Sequence, residues 1–167
     1  MIASIAEFFK QLIEPETGQA DADKALQIAT AALLLEMMRM DNRFADEERA
    51  AVVASLRQLF GLAPDQLETL LALADQEVRQ ASGYYQFTSL INKGCNAEQK
   101  VRIIENMWVV AMADGHLDAH EEHLMRKIAD LLYVGHADYV GAKQRAREIT
   151  KLPAELPANL MANQPAV

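Results

Sequence analysis

The stretch "MADGHLDAHEEH", Met112 to His123, gathers four carboxylates, Asp114, Asp118, Glu121 and Glu122, with three of the chain's four histidines. Carboxylate oxygens suit a hard divalent cation such as calcium, magnesium or manganese, and imidazoles suit zinc. The same residue types could do acid–base work, or do no more than cap helices and solvate a turn. Spacing separates these readings. Counted from Asp114, the third position is His116, the sixth Ala119 and the twelfth Met125, where an EF-hand loop needs an oxygen ligand, glycine and glutamate. His120 and His123 stand close enough to share a helix face, with His116 in the turn before them. However, "HEEH" lacks the spacing of the HExxH zinc helix. Zinc is the weaker choice. No glycine-rich phosphate loop, nucleophile elbow or Ser-His-Asp arrangement can be placed, so the chain reads as non-enzymatic.

The acidic stretch has a copy upstream. "RMDNRFADEERAAVVASLRQLFGL" aligns without a gap on "MADGHLDAHEEHLMRKIADLLYVG", with Asp41 on Asp114 and Glu48 on Glu121, both 73 residues apart. The same offset puts Phe44 on Leu117, Leu59 on Leu132, Phe60 on Tyr133 and Asp65 on Asp138. In the shared signature D-(N/G)-x-(F/L)-x-x-x-E, Asn42 and Gly115 suit the left-handed conformation that ends a helix, and Phe44 and Leu117 turn back into the core.

Asp41 and Asp114 stand at helix C-termini, where the macrodipole disfavours negative charge by about 0.3–1 kcal/mol, so something must compensate. Turn amides are one candidate, and a D-x-x-E capping box from Asp118 to Glu121 is a second. In the first copy the capping position is Ala45, yet Glu48 is still present, so capping alone does not account for both glutamates. The alternative is a carboxylate pocket for a divalent cation. Asp41, Glu48, Asp114 and Glu121 are its principal candidates, and Asp46, Glu47, Asp118, Glu122, His116 and His120 its secondary ones.

Positioning these residues falls to helices. Ala, Leu, Met, Glu, Gln and Lys dominate, and no segment alternates in the manner of a half-buried strand. The periodicity predicts helices over 2–13, 23–40, 46–60, 65–80, 83–92, 97–113, 119–132 and 138–151, with Asp23, Asn96 and Asp118 as caps and Pro64 just before Asp65. The fold class is therefore all-α: a compact bundle of about seven to eight helices built from two related helix-turn-helix units in a pseudo-twofold repeat. A single domain over 1–152 is expected, with units at about 23–80 and 96–152 and a flexible tail over 153–167. The apolar stretches Ala29 to Met38 and Met107 to Ala113 read as central helices lying side by side, with Trp108 and the methionines as core filler.

Composition narrows the function classes. A net charge of −8 disfavours nucleic acid, and "KQRAREITK" reads as a solvated helix face. The longest apolar runs, "ATAALLL" and "MWVVAMA", fall far short of the ~20 residues that span a bilayer. "MIASIAEFFK" carries a glutamate and does not read as a secretory signal. One cysteine, Cys95, fits a reducing compartment and an inert thiol. The expected location is cytoplasmic. A first helix with Ile2, Ile5, Phe9, Leu12 and Ile13 on one side is expected to pack on the core, the alternative being a partner or a membrane.

Two helical units carrying "EMMRMDNRFADEE" and "MWVVAMADGHLDAHEE" after an apolar helix resemble the TerB tellurite-resistance family, including the TerB-like domain at the front of some membrane-tethered J-domain co-chaperones. Ala113, Asp114, Gly115, Leu117 and Glu121 match the family's ADG-x-(I/L)-x-x-x-E pattern, whereas Met40 and Asn42 depart from it in the first copy. The likeness covers about residues 20–150. It implies an all-α stress-response module that senses or scaffolds, with clustered acids able to bind a metal (calcium, magnesium, manganese or zinc) and regulate a protein partner, including one in a membrane-associated complex. A homodimer is compatible with it. The alternative is a purely structural adaptor whose carboxylates only cap helices. An acidic site would repel tellurite itself, so direct capture of that anion is not expected.

Overall fold

The computed structural model describes residues 19–39 and 46–151, with side chains from residue 23 onward. Among the described residues there are seven helices and no strand. They are α1 (Gln19–Arg39), α2 (Asp46–Phe60), α3 (Pro64–Gln80), α4 (Tyr85–Gly94), α5 (Ala97–Met112), α6 (Ala119–Leu131) and α7 (His136–Thr150). The expected all-α bundle is present. The expected helix over 2–13, the tail from Pro153 and the first acidic turn, including Asp41, Asn42, Phe44 and Ala45, lie outside the described residues.

Helix starts follow local chemistry. Asn96 accepts the Gln99 amide at 2.8 Å while the Gln99 side chain accepts the Asn96 amide at 2.9 Å, closing a capping box ahead of α5. Pro64 is the first residue of α3, where its missing N–H would have had no partner, and Gln66 accepts the Ala63 amide at 2.9 Å. Three starts differ from expectation by two residues or more, one of them being α4, which begins at Tyr85 rather than at 83. Helix α1 already runs from Gln19, so the exposed Asp23 lies inside it, because the alanines and glutamine upstream continue the helix readily. Helix α7 begins at His136 after the extended Gly135, which leaves Asp138 in the first turn, where its charge favours the dipole.

The core forms around α1. From Ile28 to Met38 every side chain except the half-buried Glu36 is buried, since α1 is packed by α2, α3, α4 and α5. Helix α5 is the second axis and lies against α1, as expected, with Ile104, Met107, Trp108 and Val110 buried. Met37, Met107, Met112, Met125 and Trp108 are interior, which confirms their filling role.

The repeat is also visible in three dimensions. The helix ends Arg39 and Met112 are 73 residues apart, as are the helix starts Asp46 and Ala119. Each central helix has its most extensive partner in the third helix of its own unit, α1 with α3 and α5 with α7. Beyond the second helix the register changes. The buried sets Leu67, Leu70, Ala74 and Tyr139, Ala142, Ala146 are 72 residues apart. Tyr133 therefore stands with Gly61 rather than Phe60, and Asp65 with Ala137 rather than Asp138. Both Gly61 (φ 63°) and Tyr133 (φ 57°) are left-handed, so the same turn is reached one residue sooner in the second unit.

Candidate functional site

Helix α5 ends at Met112, and the following turn is closed by the Gly115 amide, which donates to the Met112 carbonyl at 3.0 Å. Gly115 takes φ 82°, a left-handed position that a side chain would strain, as expected from the signature. Asp114 Oδ1 accepts the His116 amide at 2.9 Å, so turn amides compensate this aspartate at the negative end of α5. Leu117 packs against the core and anchors the turn.

Asp118 caps α6, but its Oδ1 accepts the amide of His120, the second helical residue, at 2.8 Å. The expected capping box runs through the third amide instead. That third residue, Glu121, is only 1% exposed. Glu48 holds the same position in α2 and is equally buried, whereas Asp46 and Glu47 before it are exposed. A carboxylate in the first turn lies near the unpaired amides and the positive end of the helix dipole, about half an elementary charge, which favours an acid there.

The secondary candidates separate. Glu122 Oε1 lies 2.6 Å from Lys143 Nζ, which also sits 5.0 Å from the centre of the Trp108 ring. The Tyr139 ring is 5.5 Å from that of Trp108, and burial pushes its phenol upward, with Arg126 acting against the shift. Lys143 therefore does not belong to a fully solvated face; it folds over a tryptophan. Nothing in the spacing of residues 108, 122 and 143 announces that cluster. His116 and His120 are exposed, as is His123. Asp114, Asp118 and Glu121 are strung along one turn and helix start. Among the described residues no three His, Cys, Asp or Glu side chains gather closely enough to hold a metal ion. Asp41, the fourth principal candidate, lies outside them. Burial raises the Cys95 thiol, with Lys100 acting against the shift, which agrees with an unreactive cysteine.

No described helix is long and apolar enough to cross a membrane. No curated protein and no solved structure matches the chain. The family model described as tellurite resistance protein TerB matches residues 27–144, from the middle of α1 into α7 and across both acidic turns. With well over half of its length matched, and with the apolar helix, aspartate turn and inward glutamate present twice in sequence, the chain belongs to the TerB family.

Proposed function

We propose that the protein is a non-enzymatic stress-response module of the tellurite-resistance type, whose acidic turns bind a divalent cation and thereby regulate contact with a protein partner. The observation that carries this reading is the double burial of an ionisable side chain. Glu48 and Glu121 sit at the same helical position in two units and are both inaccessible. A buried carboxylate is expensive to desolvate, and an apolar residue of similar size would pack there at lower cost. Its presence in both units favours a role for the charge. Asp41, Glu48, Asp114 and Glu121 are the proposed oxygen donors, a set suited to calcium, magnesium or manganese before zinc.

A second reading has its own support. Asp118 caps α6 and Asp114 closes a turn, which is what a purely structural adaptor would ask of them. Calorimetric titration of chelator-stripped protein with calcium, magnesium, manganese and zinc separates the two. Saturable heat in the wild type, lost in Asp41→Asn and Asp114→Asn, is expected under the cation reading, and the stoichiometry tells one shared site from two. No heat from a folded protein would leave the adaptor.

A further inference from the structure

Helix α4 fills a particular seat on the second unit's helix α6 and on α1. The Asn92 side-chain amide donates to the Leu131 carbonyl at 2.9 Å, and Lys127 Nζ stands 5.4 Å from the centre of the Tyr84 ring. The Glu36 carboxylate acts on the Tyr84 hydroxyl, and Leu26 lies 3.5 Å from where a Gly94 Cβ would be. The helix therefore runs antiparallel to α1. Under it Phe87 and Ile91 are wholly buried.

Moved by one repeat of 73 residues, Lys127, Leu131 and Glu36 become Ala54, Gln58 and Val109. Those three residues line a groove of about 550 Å³ between α2, α5 and the end of α7. Ile149 on its rim is 61% exposed, whereas its counterpart on α3, Glu77, is buried. The seat exists in both units, and among the described residues only one has a helix in it.

The chain carries a similar pattern upstream, 78 residues earlier rather than 73, because α1 begins five residues sooner in its unit than α5 does. α4 contains "FTSLI", Phe87 to Ile91, and the N-terminal segment contains "FKQLI", Phe9 to Ile13. Ile91 precedes the first residue of α5 by six positions, and Ile13 precedes the first residue of α1 by the same six. We propose that the N-terminal segment, through Phe9, Leu12 and Ile13, docks as a helix in the groove lined by Ala54, Gln58 and Val109, the place in the first unit that α4 takes in the second. In the antiparallel register that α4 sets on α1, Lys10 comes level with Glu105, which also holds Arg145 at 2.9 Å, and Glu14 comes level with Val101, beside Arg102. Residues 14–18, as many as the five between Ile91 and the start of α5, reach at most ~17 Å when extended.

Trypsin cleavage after Lys10 in the full-length protein reads this docking. Wild type is expected to be cut there at least tenfold more slowly than Phe9→Ser or Ala54→Arg, and the double variant no faster than the faster single one. Equal cutting of wild type and Phe9→Ser would overturn the proposal. So would an Ala54→Arg protein that keeps full protection, which places the segment elsewhere, or protection lost on dilution, which assigns the groove to a second copy. A nuclear Overhauser contact between the Phe9 ring and the Val109 methyl groups in the unsubstituted protein is the independent check; its absence overturns the proposal as well.

Discussion

Helices α2 and α6 bury the same register, Glu48, Val52, Ser55 and Leu56 in one and Glu121, Met125, Ile128 and Ala129 in the other, but their ends are handled differently. Asp118 caps α6 through a 2.8 Å hydrogen bond, while Ala45 ahead of α2 has no side-chain oxygen to offer. After α2 the chain reverses at Gly61. After α6 it reverses at Tyr133, where the Val134 amide reaches the Ala129 carbonyl at 2.9 Å and the Tyr133 amide reaches Asp130 at 3.1 Å. What the units share is the inward glutamate and the apolar stripe; the caps vary. Exposed helix-end amides and carbonyls can be satisfied by neighbours or by water, whereas an interior position admits only a side chain that fits it and is compensated electrostatically.

The comparison can be tested first in the core, where the effect is largest. Trp108 and Leu35 occupy equivalent places in α5 and α1, and urea unfolding should show Trp108→Ala losing about 3–5 kcal/mol and Leu35→Ala losing less, nearer about 2 kcal/mol. The reverse order would make the first unit the stronger half of the core. At the shared glutamates, Glu48→Ala and Glu121→Ala should each destabilise by about 1–3 kcal/mol. Unequal losses would break the equivalence of the two sites. At the variable turns the signs should be opposite: Gly61→Ala destabilises by about 1 kcal/mol, whereas Tyr133→Gly stabilises by a similar amount because a left-handed tyrosine is relieved.

The smallest effect concerns a position where the units diverge, Glu77 on α3 against Ile149 on α7. Burial raises the Glu77 carboxyl above its ordinary value of 4.5, and its Oε1 has no hydrogen-bond partner. A raised acid binds its proton more tightly in the folded state, so the stability it contributes below the ordinary value is lost as the pH rises through the folded one. Glu77→Gln should therefore melt slightly higher than wild type at pH 7, by less than about 1 kcal/mol, with the difference shrinking on acidification. A variant that melts lower at pH 7 would show the charged form to be favourably placed.

Much of this molecule was legible locally. Helix spans, the Asn96 and Asp118 caps, the left-handed Gly115 and the centrality of α1 and α5 follow from periodicity and turn chemistry, which act over a few residues. The register beyond Leu56 was not, since "LFGL" and "LLYVG" align equally well with or without a one-residue step until burial distinguishes them. The candidate site was legible in part. Its residue types and spacing, and the family they point to, could be read directly, but Glu121 and Glu122 are adjacent in sequence and only one is interior.

By itself the sequence determined an all-α chain with a duplicated Asp-turn-Glu unit of the TerB family, because helix propensity, hydrophobic period and caps are short-range properties. The tertiary structure alone decided that Glu48 and Glu121 are buried while Asp46, Glu47 and the histidines face solvent. It also decided that Lys143 closes over Trp108 beside Glu122. These outcomes depend on which helix faces meet, and that follows from packing between residues distant in the chain rather than from any local pattern.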